Sequence, residues 1–98
     1  MLIQLLLPVT SAPDNHAAIA QTRAELVQRY QGVTAYVRSP AKGAWVGPDG
    51  IEQHDDVIMV EVLIEIFERE QWRAYARELA ARFGEEEIHI RALPAVVP

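Results

Sequence analysis

Residues 57–67, Val-Ile-Met-Val-Glu-Val-Leu-Ile-Glu-Ile-Phe, form the strongest strand signal in this chain of 98 residues. The stretch is dense in β-branched residues, which favour strands. Successive side chains of a strand point to opposite faces of a sheet. The even positions are all aliphatic, which predicts one fully apolar face directed at a core. The odd positions are mixed, and they include Met59, Glu61, Leu63, Glu65 and Phe67.

On either side of this strand, the sequence predicts two amphipathic helices and three further strands. A Ser-Ala-Pro-Asp sequence ending at Asp14 is typical of a helix start, and Gly32 and Gly84 are expected helix ends. Gly, Pro and Asp punctuate residues 39–56, which predicts a long turn or loop, or alternatively a flared hairpin tip. The other predicted elements are strands over 2–9, 33–37 and 87–91, helices over 14–31 and 68–83, and an apolar tail over 93–98.

The order of these elements is β-α-β-β-α-β, and the length suits one domain that spans 1–98. This order is typical of the split βαβ, or ferredoxin-like, arrangement. The sequence therefore predicts an α+β fold in which two helices cover one face of a four-stranded antiparallel sheet. The other face of the sheet is expected to be bare.

Strand alternation assigns residues to this bare face. Its apolar members are predicted to be Leu2, Leu6, Met59, Leu63 and Phe67. Its polar members are predicted to be Gln4, Tyr36, Arg38, Glu61, Glu65, His89 and Arg91. Large exposed apolar patches usually mark an interface or a binding site. We therefore expect a homodimer in which the apolar members of two copies pack together.

The same face carries the candidate site residues. Tyr36, Glu61 and His89 are the candidates for acid/base chemistry. The binding candidates are Gln4, Arg38, Trp45, Glu65 and Arg91. A simpler interpretation is that the charged residues form cross-strand ion pairs that hold a half-buried sheet in register. Trp45 is an anchor for a partner, a lid over a ligand, or a side chain that folds back onto the edge of the core.

Composition and missing motifs exclude several classes of function. The chain has 9 Lys and Arg against 14 Asp and Glu, and the net charge of −5 argues against nucleic-acid and anionic membrane partners. Without Cys, thiol catalysis is excluded. The sequence also lacks the GxSxG, GxGxxG and P-loop motifs of common catalytic and nucleotide-binding sites.

No metal, cofactor or membrane span is predicted. His16 lies on a different element from the His54-Asp-Asp56 cluster, and zinc requires three or four convergent ligands. No apolar run approaches the roughly 20 residues needed to cross a bilayer. The cytoplasm is the expected location.

Two segments carry a resemblance to a known family. The turn Trp45-Val-Gly-Pro-Asp-Gly50 precedes a long apolar strand, and the junction Arg82-Phe-Gly-Glu-Glu-Glu-Ile88 joins the last helix to the last strand. In these features the second half of the chain resembles an uncharacterised bacterial family of short α+β domains. The likeness implies the fold and no activity. At the level of fold, the chain also resembles dimeric α/β-barrel proteins, which include small cofactor-independent monooxygenases, isomerases and stress-response proteins.

Two functions from different classes remain open. The first is a non-catalytic homodimer, a binding or regulatory module that uses the bare sheet face. The second is a small cofactor-independent enzyme of the monooxygenase or isomerase kind, with an apolar substrate in a cavity above Glu61 and His89. An effector sensor with its site at a subunit edge is an intermediate possibility, which would use the segment 39–56.

Overall fold

The structure is a computed structural model that describes residues 1–30, 33–46 and 52–98, with side chains described for 1–30 and 57–98. Two helices and four strands form in the predicted chain order. Their bounds are β1 Leu2–Val9, α1 Asn15–Arg29, β2 Val33–Val46, β3 Glu52–Leu63, α2 Arg69–Phe83 and β4 Ile90–Leu93. Both helices therefore lie within a residue or two of their predicted bounds.

The strands are arranged in the order β2-β3-β1-β4, and all neighbours are antiparallel. β4 has only four residues and pairs with β1 at positions 2–5. Within the described residues, all four strands lie side by side only at the levels of Ile3, Gln4 and Leu5. The predicted ferredoxin-like fold with a regular four-stranded sheet is therefore wrong. The structure is an α+β fold built on three long antiparallel strands, and it matches the βαββαβ plan only in part.

Of the two interpretations of 39–56, the long turn or loop is wrong for the described residues, because 39–46 and 52–56 belong to the antiparallel strands β2 and β3. β2 continues to Val46 and β3 begins at Glu52, so pairing extends well beyond β1. A register shift separates the pair formed by Pro40 from the pair formed by Ala44. Proline has no N–H to donate to the ladder, and such residues occur at irregularities of strands. Pro40 and Gly43 thus lie at an interruption of the ladder, and the other Gly and Pro of the segment lie outside the described residues.

At its other end, β3 stops at Leu63, four residues earlier than predicted. The Ile64 N–H donates to the Met1 carbonyl at 2.9 Å, and the chain then bends towards α2. Phe67, predicted to lie on the bare face, packs instead against the core, so that prediction is wrong. Once the strand ends, the alternation of side chains no longer determines which face a residue joins.

The core lies between the helices and one face of the sheet. Strand alternation correctly predicts its sheet side, because the buried residues of β1 and β3 are Ile3, Leu5, Leu7, Ile58, Val60 and Val62. The helices contribute Ile19 and Leu26 from α1 and Trp72, Tyr75 and Leu79 from α2. The rings of Tyr30 and Trp72 stack with centroids 5.3 Å apart. Both helices thus share one core with the inner face of the sheet.

The helix termini are closed by contacts that the sequence only partly predicts. Asp14 occupies the N-cap of α1 without a side-chain capping hydrogen bond. The buried Asn15 closes this turn instead: its Oδ1 accepts from the Thr10 N–H, and its Nδ2 donates to the Pro8 carbonyl. Gly84 ends α2 as predicted, with a left-handed φ of 66° that favours glycine. Neither α1 nor α2 is long and apolar enough to cross a membrane.

Candidate interface on the open sheet face

We call the sheet surface that faces away from the helices the open face. The strand register arranges its described side chains in rows across β4, β1 and β3. One apolar row contains Leu93, Leu2 and Leu63, and the next row is polar, with Arg91, Gln4 and Glu61. Beyond it lie the apolar pairs of Leu6 with Met59 and of Pro8 with Val57. Among the described side chains, the open face therefore has one polar row between apolar rows.

Its apolar residues are only partly covered by their own chain. Leu2, Leu6, Met59 and Leu63 are half-buried, whereas their neighbours on the inner face are fully or almost fully buried. Leu93 is 39% exposed. Water therefore contacts apolar side chains on both sides of the polar row, which is unfavourable unless another surface covers them.

The two ends of the polar row differ in their contacts. The Gln4 Nε2 donates a hydrogen bond to the Glu61 Oε2 at 3.1 Å. Arg91 is exposed, and its side chain makes no ion pair with any residue that the structure describes. Neighbouring strands lie about 4.8 Å apart, so Arg91 and Glu61 stand on strands about 10 Å apart. The row thus carries a positive charge at the β4 end and a negative charge at the β3 end.

The structure brings three of the predicted site residues together, Gln4, Glu61 and Arg91, in this row. Glu65 lies beyond β3 in an exposed bend. His89 precedes β4, where its carbonyl accepts from the Leu6 N–H at 3.0 Å and its side chain is exposed. The last strand thus begins later than the predicted 87–91 and continues to Leu93, which adds that leucine to the open face.

In β2, the backbone register differs from the predicted parity. Tyr36 pairs with Val60 and Arg38 pairs with Ile58, and both partners are core residues. The prediction assigned Tyr36 and Arg38 to the opposite face. A register shift after Val33 explains the difference, because one extra residue reverses the alternation of a strand. The side chains of Tyr36, Arg38 and Trp45 lie outside the described residues, as do those of His54, Asp55 and Asp56.

The enzyme hypothesis needs a cavity above Glu61 and His89. A groove of about 550 Å³ includes His89, but it lies between α2 and β4, and Glu61 does not line it. No hydrogen bond or ion pair joins Glu61 to His89 in the described part of the chain. Within the same residues, no group of three His, Asp or Glu side chains could hold a metal ion.

Sequence reasoning missed a polar cluster between the helices. The Arg82 guanidinium donates to both carboxylate oxygens of Glu25, at 2.8 and 2.9 Å, and to the Thr22 hydroxyl at 2.9 Å. The Tyr75 hydroxyl also donates to Glu25, at 2.9 Å. Tyr75, Leu79 and Arg82 recur at helical spacing, and this signal could have placed Arg82 beside the apolar stripe.

The electrostatics of this cluster match its geometry. The hydrogen bond from Arg82 holds the pKa of Glu25 below its ordinary value, against the opposing effect of burial. The same bond raises the pKa of Arg82. Burial, followed by the bond to Glu25, raises the pKa of Tyr75 far above its ordinary value. The cluster joins α1 to α2 and pairs the Glu25 carboxylate with the Arg82 guanidinium, which indicates a structural role.

The chain matches no protein-family model, no curated protein and no solved structure. Its resemblance to short bacterial α+β domains therefore stays a prediction.

Proposed function

We propose that this chain is a non-catalytic homodimer, a binding or regulatory module whose two copies pack open face against open face. The observation that carries the proposal is the row pattern, in which half-buried leucine and methionine side chains flank one polar row. A second copy covers these side chains and removes them from water. Closed two-fold dimers are also the commonest homo-oligomers. A cytoplasmic location belongs to the same proposal.

The charges of the polar row favour one relative orientation of the two copies. In the two simplest arrangements, the two-fold axis between the facing sheets runs along the strands or across them. With an axis along β1, each row faces the same row of the other copy, and Arg91 faces the partner's Glu61. With an axis along the polar row, Arg91 faces the partner's Arg91. Opposite charges across an interface are favourable and like charges are costly, so the axis along β1 is favoured.

In this orientation each charged group of the polar row has a partner of opposite charge in the other copy. Arg91 gains a carboxylate partner, and Glu61 keeps its hydrogen bond from Gln4. The apolar row of Leu93, Leu2 and Leu63 faces its own copy, so leucine packs on leucine. A buried guanidinium is tolerated only when it is paired and hydrogen-bonded, and the two symmetric contacts between Arg91 and Glu61 provide this.

The proposal is tested by the molar mass of the protein in solution, measured by light scattering at micromolar concentration. We expect the mass of a dimer for the natural chain and the mass of a monomer for Leu63→Arg, because the substitution buries an unpaired charge. Circular dichroism verifies that the variant is folded, and the milder Leu63→Gln replaces it if it is not. Val27→Arg is the control, since Val27 is 61% exposed on α1.

A monomeric natural chain would overturn the proposal. A dimer that tolerates both Leu63→Arg and Leu63→Gln would also overturn it, because the interface would then lie elsewhere.

A further inference from the structure

A second surface lies on the helix side of the sheet, away from the open face. It is the groove of about 550 Å³ between α2 and β4, which we call the α2–β4 groove. Trp72 and Ile88 form its buried floor, and Phe67 and Ile90 are half-buried beside them. Ligand sites in proteins are concave, mostly apolar and about 300–1,000 Å³ in volume. The groove has this size and this lining, and face-to-face dimerisation leaves it accessible.

Small side chains line part of the groove. Ala76 of α2 and Ala92 of β4 are both among its lining residues. A larger apolar side chain in place of Ala76 would occupy part of the groove, so the groove can be filled by substitution.

The charged residues that line the groove differ in whether they have an ion-pair partner. Arg73 forms an exposed ion pair with Glu70 at 3.2 Å. Glu87 lies where the groove meets a neighbouring depression lined by Arg73 and Arg77. Arg69 also lines the groove, and among the described residues its guanidinium has no ion-pair partner. An unpaired cation thus stands beside an apolar floor.

We propose that the α2–β4 groove binds a small amphipathic anion, an aliphatic or aromatic carboxylate. Its apolar body lies against Trp72 and Phe67, and its carboxylate accepts hydrogen bonds from Arg69. A guanidinium matches the two oxygens of a carboxylate in a forked geometry, and such charge-assisted bonds are the stronger kind. The site goes beyond the proposed dimer and does not depend on it, because none of these residues belongs to the open face.

Decanoate and decanol provide matched probes, since they share an apolar chain and differ in charge. Trp72 is the reporter, in a protein that carries Trp45→Phe so that only one tryptophan remains. Titration with decanoate below its micelle concentration is expected to give a saturable change in Trp72 fluorescence. Decanol is expected to bind about tenfold more weakly, because it lacks the charge-assisted bond.

Two variants locate the ligand. Ala76→Leu fills the groove and is expected to abolish decanoate binding while the unfolding midpoint is maintained. Arg69→Gln is expected to weaken decanoate about tenfold and to leave decanol unchanged. Arg77→Gln is the matched control, because Arg77 lines the neighbouring depression and not the α2–β4 groove. This substitution is expected to leave the affinity for decanoate unchanged.

Three results would overturn the proposal: no saturable change with decanoate, equal affinity for decanoate in Arg69→Gln and the natural chain, or undiminished binding in Ala76→Leu. The last result would place the probe elsewhere, for example on the open face.

Discussion

Arg82 and Arg91 show how differently one residue type is used on the two sides of the sheet. The side chain of Arg82 is 11% exposed and binds Glu25, Thr22 and Glu78 within its own chain. Arg91 is exposed on the open face, and no described residue pairs with it. The first arginine completes the contact between the helices. The second stands in a polar row that the monomer leaves incomplete.

The difference shows which arginine finds its ion-pair partner within its own chain and which does not. A partly buried guanidinium is stable when its N–H groups donate hydrogen bonds to a carboxylate and a hydroxyl, as those of Arg82 do. Around Arg91 the neighbouring rows are apolar and mostly half-buried, and the nearest opposite charge in its row is two strands away. The cluster around Arg82 therefore stabilises the single chain, whereas the row that contains Arg91 has its role in the dimer that we propose. Substitutions at these two arginines should separate the two roles.

The largest expected effect on the stability of the monomer is that of Arg82→Met. The change keeps the apolar stem and removes the charge, so the partly buried Glu25 loses its main partner. We expect a loss of about 2 kcal/mol in the free energy of unfolding, measured by urea denaturation. Arg73→Met is the control, because its ion pair with Glu70 is exposed and such pairs contribute little. Equal effects of the two substitutions would contradict the structural role of Arg82.

A smaller effect is expected from the titration of Glu25. Its pKa in the folded chain is lowered, mainly by the hydrogen bond from Arg82. The ionised carboxylate therefore adds stability above the ordinary glutamate pKa of about 4.3, and this contribution is lost as the pH falls through the lower folded value. The natural chain should be more stable than Glu25→Gln at pH 7, and the difference should shrink towards pH 3. A difference independent of pH would exclude this origin.

The smallest effect is expected for Arg91→Met in a monomeric background carrying Leu63→Arg. Arg91 has no ion-pair partner among the described residues of its own chain, so the urea midpoint should not change measurably. A clear loss of stability would mean that Arg91 already acts within the monomer. Arg91 would then have the same role as Arg82.

Sequence reasoning correctly predicts the parts of the fold that depend on local patterns. The alternation of β1 and β3 places Ile3, Leu5 and Val60 in the core, and helical spacing with Gly84 defines α2. Sequence reasoning fails where the structure of a segment depends on its pairing with another strand. The segment 39–56 has the composition of a loop, yet partner strands extend its hydrogen-bonded ladder to Val46.

The candidate site is predictable to the same extent. Gln4, Glu61 and Arg91 are found because a two-residue period fixes the face of each. Tyr36 cannot be placed this way, because a register shift after Val33 reverses the parity of β2. The contact between Glu25 and Arg82 joins residues far apart in the chain, and only the packing of α1 on α2 brings them together.

The dissociation constant of the dimer in a charge-reversal cycle tests the central claim most directly. Arg91→Glu and Glu61→Arg are measured alone and together by sedimentation equilibrium. Each single reversal is expected to weaken the dimer at least about tenfold, because two symmetric contacts become repulsive. The double reversal is expected to restore most of the affinity, since the two charges exchange strands and opposite charges again face each other in the same orientation. A double variant that dimerises no better than the weaker single variant would contradict the pairing of the open faces along β1.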